Sequence, residues 1–322
     1  MKVVITGGSG FIGARLAQHL LDNDVFHGER GEVERVSELV LLDVQAPENP
    51  IADERVRYVI GELNDASLLA PVLDGAQSVF HFASVVSGGA EADLELGYRV
   101  NLDGTRLLID LMAAEGGRPK LIFASSCAVY SQGKELVTDA TTPTPKSSYG
   151  VQKLCLEYII GDYSRRGLID GRSMRFPTIA VRPGKANLAN SSFISNIIRE
   201  PAMGKPTICV VPQEAAITIM SPGRLIDSIV AAHNIPEDEF GWPKALLMPA
   251  INVTVAEMLD ALEAELGPQA RDLVSFEVNA DIYAMVQNWP QNIEAARAEA
   301  MGIHANRDAG EIVREFLREN MP

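Results

Sequence analysis

The chain has 322 residues, 47% of them hydrophobic, and a formal net charge of −15. That length supports one large domain or two closely joined ones, and the acidic balance disfavours nucleic acid and anionic membranes as partners. Three cysteines (Cys127, Cys155, Cys209) with no CxxC pair argue against a disulfide framework or a metal site, and the absence of a signal-like leader or an apolar run of about 18 residues predicts a cytoplasmic protein.

Short β-branched runs alternate with stretches of helical period. Residues 2–6 (KVVIT) read as a buried strand, 11–21 as a helix and 38–43 (ELVLLD) as a second strand. The polar segment 23–37 between them reads as a surface insertion. Strands follow at 56–60, 78–82 and 120–125, with a helix at 66–73 and a long helix at 94–114. A second long helix is predicted at 149–166 and a strand at 175–182. This succession specifies an α/β fold with a Rossmann-type, doubly wound parallel sheet. Beyond residue 184 the order is less regular, with helices at 192–199, 224–233, 255–266 and 295–320 and a strand at 207–211. Residues 1–180 are therefore read as the dinucleotide domain. Residues 181–322 are read as a smaller α/β substrate-binding lobe whose chain crosses back to the first domain.

Residues 6–13 read TGGSGFIG, placing Gly7, Gly10 and Gly13 three apart between a strand and an amphipathic helix. Gly7 permits the turn, Gly10 leaves room for a pyrophosphate at the helix N-terminus, and Gly13 lets the helix approach the strand. Phe11 and Ile12 complete that contact. The second strand ends at Asp43, whose carboxylate suits two ribose hydroxyls and repels a 2′-phosphate. Neither Val44 nor Gln45 offers a cation in its place, so the cofactor is predicted to be NAD.

Tyr149 and Lys153 are four apart in a helical stretch and share one face. A cation beside a tyrosine lowers its pKa below the ordinary value of about 10, and Lys153 is expected to supply it. The phenolate can then take a proton from a substrate hydroxyl while Ser126, at the end of a strand, holds the substrate oxygen.

The order of these motifs resembles the extended branch of the short-chain dehydrogenase/reductase superfamily, which includes nucleotide-sugar epimerases. Further matches are GELND (61–65), HFAS (81–84), NLDGT (101–105), SSCAVY (125–130), YGVQK (149–153) and VRPG (181–184). The resemblance implies that Ser126, Tyr149 and Lys153 are catalytic. It implies adenine contacts at Leu63, Asn64 and Asp65, a ribose contact at Ala83, and a nicotinamide neighbourhood at Pro177, Thr178 and Ile179. Asn101 is assigned to the cofactor as well, the alternative being a helix residue that ties a loop. His81 reads better as a satisfied, half-buried histidine than as a chemical group.

Departures from the pattern choose among the reactions of the branch. Dehydratases carry Asp and Glu after the catalytic Ser or Thr, where this chain has Cys127 and Ala128, so water loss is disfavoured. Nucleotide-sugar epimerases carry basic residues after a small-lobe strand, whereas residues 212–222 (PQEAAITIMSP) hold no Lys or Arg. A smaller, acidic substrate is expected, bound by Ser84, Arg182, Lys185, Ser191 and Ser192 together with Ser126 and Tyr149; Arg199 and Arg224 are further cations nearby. The segments 175–185, 191–193 and 197–201 are similar to sugar-acid dehydrogenases of the branch, implying oxidation of a four-carbon acid at its C2 hydroxyl. The branch also implies a homodimer built on the two long helices, with Leu107, Leu108, Leu111, Ile159 and Ile160 as apolar candidates.

Overall fold

The computed structural model describes residues 1–23, 26–27, 33–184 and 191–321. Its centre is a seven-stranded sheet. In chain order the first elements are β1 (Lys2–Thr6), α1 (Phe11–Asp22), β2 (Glu38–Asp43), β3 (Val56–Ile60), α2 (Ala66–Leu73) and β4 (Ser78–His81). They continue with α3 (Thr105–Glu115), β5 (Lys120–Ser126), α4 (Ser148–Arg165) and β6 (Asp170–Phe176). After α5 (Ser192–Ala202) and α6 (Pro222–Asn234), the strand β7 (Ala245–Leu247) returns to pair with β6. The spatial order is β7-β6-β5-β4-β1-β2-β3, with every pair parallel.

Strand periodicity explains why both faces are covered. Val3, Ile5, Leu39 and Leu41 enter one core, while Val4, Val40 and Leu42, one residue out of step, enter the core on the other face. A third core belongs to the second lobe, around Ile194, Ile198, Ile217 and Phe316. There Ala216–Met220 pairs with Thr178–Ile179 on one side and with Ile251–Thr254 on the other.

Four sequence expectations change. The strand expected at 175–182 begins earlier, at Asp170. Its apolar pattern is broken by Arg172, which is fully buried, ion-paired with Asp170 at 2.7 Å and donating to the Ile235 carbonyl at 2.6 Å. Pairing makes the buried charge tolerable, and no hydrophobic periodicity can reveal it. The helix expected at 94–114 is interrupted: Leu94–Gly97 gives way to a π-turn over Tyr98–Gly104 before α3. The helix expected at 295–320 is two helices, Ala296–Ala300 and Ala309–Asn320, separated by Gly302 at φ +79°.

The segment 23–37 is not wholly a surface insertion, because Phe26 is buried with its ring 4.2 Å from that of His233 and 5.8 Å from that of Phe80. Val36 is buried too, so two apolar residues seat an otherwise polar stretch.

Candidate active site

A cavity of about 550 Å³ runs along the carboxyl ends of β1, β2 and β4. Gly7, Gly10, Phe11, Ile12 and Gly13 form one wall, with Asp43, Leu63, Asn64, Ala83, Ser84 and Arg182 along the rest. The glycine turn is fixed by sterics. Gly7 has φ +71°, and a Cβ there would stand 2.8 Å from the Ala83 nitrogen. A Cβ on Gly13 would stand 2.2 Å from the Gly7 carbonyl oxygen. No side chain caps α1 at Gly10, and no acid occupies its first turn. The helix therefore presents unsatisfied N–H groups and the positive end of its dipole to the cavity, which fits a pyrophosphate.

Asp43 is aimed by backbone. Its carboxylate accepts hydrogen bonds from the Ser9 N–H at 3.1 Å and the Gln45 N–H at 3.3 Å. It remains only half-buried at the rim of the cavity, where a ribose would meet it.

Some expected cofactor residues have other work. Asp65 caps α2, accepting from the Ser67 and Leu68 N–H groups and from the Ser67 hydroxyl, and it does not line the cavity. Asn101 is the tie, not a cavity wall. Its side chain accepts from the Val85 N–H at 2.7 Å, donates to the Val85 carbonyl at 3.0 Å and donates to Gln152 at 2.8 Å. It thereby holds the loop carrying Ala83 and Ser84, and the π-turn is where it sits. Thr178 and Ile179 are taken up in pairing with Ile219 and Met220; with Pro177, they lie outside the lining of this cavity. The reading of single motifs missed other lining residues, namely Glu62, Val85, Leu96, Arg99 and Val100. Glu62 sits inside the quoted GELND motif, and Leu96 and Arg99 lie within about a turn of Asn101, which were the available signals.

The chemical end lies beyond Ser84. Ser84 and Arg182 are the groups that act on the Tyr149 phenol, while the Ser84 hydroxyl itself donates to the Val85 carbonyl at 3.1 Å and to Asn101 at 3.2 Å. The Lys153 ammonium stands 5.4 Å from the centre of the Tyr149 ring and 4.6 Å from that of Phe123. Ser126 accepts from the Ala128 N–H at 3.1 Å, which orients its hydroxyl and leaves the O–H to donate. Thus Ser126, Tyr149 and Lys153 are supported by adjacent elements: β5 for the serine, α4 for the other two.

The electrostatics differ from the simple expectation. Burial drives the Tyr149 phenol up to about 12, with Ser84 and Arg182 pulling the other way. Burial drives Lys153 down to about 7, opposed by the charge of Glu157. In the ligand-free protein the lysine therefore loses its proton before the tyrosine does. Arg182, lowered by burial yet still a cation, is the positive group the phenol feels.

His81 is fully buried, not half-buried. Its two ring nitrogens bond the Thr6 and Thr105 hydroxyls at 2.5 and 2.7 Å, and burial lowers it to about 3, so it stays neutral. Burial likewise lifts the Cys127 thiol to about 12, leaving it unfit for proton transfer at neutral pH.

The remaining cations separate. Arg199 is buried against Glu200 and Asn196, and Arg224, partly exposed, pairs with Glu311, so both already have partners and neither lines the cavity. Arg182 lines the cavity while its main chain is pinned on both sides: its N–H donates to Ser195 at 3.0 Å, and its carbonyl accepts from Arg199 at 2.9 Å. Lys185 lies outside the described residues. Ser191 and Ser192 begin α5 and are absent from the lining of the cavity. The lack of Lys and Arg in residues 212–222 has a packing reason in part, because Ile217–Met220 are buried strand residues. It therefore says less about the substrate than the sequence implied.

The NAD dependent epimerase/dehydratase family model matches residues 3–223. A protein named D-erythronate dehydrogenase from Cupriavidus necator is 41% identical, covering 99% of this chain and 98% of that one. Its namesake from Haemophilus influenzae is 35% identical, covering all of both. A solved structure described as the nucleoside-diphosphate-sugar epimerase from Agrobacterium tumefaciens superposes with a TM-score of 0.93 at 34% identity, over 100% of this chain and 94% of that one.

Proposed function

Because the chain belongs to the NAD-dependent epimerase/dehydratase family and takes NAD as its cofactor, we propose that it oxidises D-erythronate at the C2 hydroxyl to 2-oxo-tetronate. The observation that carries this reading is Arg182, which lines the cavity and whose charge acts on the Tyr149 phenol. An α-hydroxy acid places its carboxylate next to the hydroxyl that reacts, so one cation adjacent to the base suits it. The full-length likeness to two D-erythronate dehydrogenases supplies the particular acid.

In this reading Ser126 donates to the substrate hydroxyl oxygen and Tyr149 takes its proton, leaving a ketone. Ser84 and Arg182 hold the acid, and Lys185, Ser191 and Ser192 are assigned to the same side. The glycine turn, Asp43, Leu63, Asn64 and Ala83 would hold the dinucleotide. Bound NAD supplies the acceptor for the hydrogen and electron pair leaving the carbinol carbon. Arg182 stabilises the phenolate, and Lys153 is assigned to the reacting set beside the Tyr149 ring.

NAD reduction followed at 340 nm over a panel of C4 to C6 sugar acids tests the reading. D-erythronate is expected to give steady NADH accumulation. Turnover of a UDP-sugar with none of erythronate overturns it. That second reading, an epimerase retaining its NAD, draws on the Agrobacterium likeness, and NADH release into solution separates the two.

The enzyme is also proposed to be a cytoplasmic homodimer through the outer face of α3 and α4. Leu108 and Ile160 belong to the intrachain core, so the dimer face would rest on outward residues such as Tyr158, which is 70% exposed. Light scattering reads the outcome directly.

A further inference from the structure

Arg99 is a cation at the cavity that the proposed reaction does not use. It stands in the π-turn Tyr98–Gly104, between β4 and α3, and lines the cavity together with its neighbours Leu96 and Val100. Its backbone is fixed, because its carbonyl accepts from Asn64 Nδ2 at 2.8 Å. Its side chain is exposed, and among the described residues no hydrogen bond or ion pair engages the guanidinium. Arg99 is thus anchored at the main chain and unpaired at its tip. The other arginine lining the cavity, Arg182, belongs to the Tyr149 end.

The tie to Asn64 roots Arg99 at the β3 end of the cavity. β3 is the edge strand, with β2 and then β1 inward of it. Asp43, at the end of β2, is the Cα partner of Ile60 on β3. Neighbouring strands lie about 4.8 Å apart, so the end of β3 stands roughly 10 Å from the end of β1, where the glycine turn suits a pyrophosphate. With the ribose at Asp43, the group beyond it toward β3 is the adenine. The lining on that side includes the apolar Leu42, Val44 and Leu63, and Val44 is 61% exposed. A flat ring there has apolar side chains against one face and needs cover on the other. A guanidinium suits that face, being planar, weakly hydrated and attracted to a π system.

We infer that Arg99 binds the cofactor by laying its guanidinium on the adenine ring, and that Asn64 acts on the dinucleotide through Arg99, as a positioning residue. The inference rests on the dinucleotide lying along this cavity with its ribose at Asp43. Asn64 already has work within the protein. Its Nδ2 is bound to the Arg99 carbonyl, and its Oδ1 is buried beside Gly104, where a Cβ would stand 3.2 Å from it.

Calorimetry on the full chain tests this, with NAD and ADP titrated directly and adenosine in competition with ADP. Arg99→Ala is expected to weaken all three by one common factor of about three to ten, because they share the ring. Nicotinamide mononucleotide, which lacks that ring, should bind as it does to the parent. NAD and ADP weakened with adenosine unchanged would make the contact one to phosphate and overturn the inference, as would no change in any of the three. The guanidinium has no partner within the protein, so the thermal midpoint without ligand should match the parent; a midpoint that falls along with affinity makes Arg99 a structural group and also overturns it. Asn64→Ala is expected to weaken the same three ligands, and the double variant to bind no worse than Arg99→Ala alone. Additive losses would give Asn64 a contact of its own and remove its action through Arg99. Asp43→Ala, run alongside, separates the two levels. Unchanged NAD affinity there overturns the placement of the dinucleotide on which the inference stands. Weakened NAD in Asp43→Ala with intact NAD in Arg99→Ala counts against Arg99 alone.

Discussion

At the glycine-turn end of the cleft the binding groups are largely backbone. At the Tyr149 end the groups proposed to bind and react are side chains drawn from separated stretches of chain. The first end needs short spacing, a missing Cβ and a helix start, all of which lie within residues 6–13 and are seen at Gly7 and Gly13. The second needs Ser84 from a loop, Ser126 from β5, Tyr149 from α4 and Arg182 from the passage into the second lobe. A site made of backbone tolerates wide variation around it, whereas one made of converging side chains can be retuned by a single substitution.

Substitutions at the two ends should therefore separate cleanly. The largest effect is expected from Arg182→Met: KM for the sugar acid rises roughly 10–100-fold, as befits a lost charged hydrogen bond, while NAD affinity stays within about twofold. Equal loss of NAD affinity would erase the distinction between the ends. Next comes Asp43→Ala, for which NAD affinity falls about tenfold, NADP gains relatively, and KM for the acid at saturating cofactor is unchanged; an intact NAD preference would remove Asp43 from the ribose site. The smallest effect belongs to Asp65→Ala. Loss of the α2 cap lowers the thermal midpoint by about 2 °C, and calorimetry should find NAD affinity unaltered, because the carboxylate faces its own helix.

The same contrast explains what could be read from the chain in advance. β1, β2, β3 and α2 fall where local pattern places them, because each is a short apolar unit with a turn or cap beside it. The glycine turn and Asp43 were legible for that reason. Asn101 and Asp65 were not, since motif position alone does not distinguish a ligand contact from a hydrogen bond that holds a loop or caps a helix. Arg182, Arg199 and Arg224 looked equivalent as cations; the fold turns Arg199 onto its neighbours Asn196 and Glu200 and the Arg182 carbonyl, and Arg224 onto Glu311, and neither lines the cavity. The Glu157–Arg175 pair joins residues 18 apart across a helix and a strand, beyond the reach of any periodic pattern. β7 escaped for another reason: three residues give too short a pattern to read.

That short strand bears on how the protein could be divided. β7 covers the outer edge of β6, and α6, which precedes it, has the carbonyls of Ala232 and Ile235 bound to Arg172 in the middle of β6. A fragment cut after residue 180 would keep every wall of the glycine turn yet bare an unpaired strand edge and leave a buried guanidinium without those acceptors. Such a piece invites edge-to-edge aggregation. The two lobes are thus poor candidates for modular exchange: grafting a new substrate lobe onto this dinucleotide unit would require carrying residues 222–247 along with the old sheet.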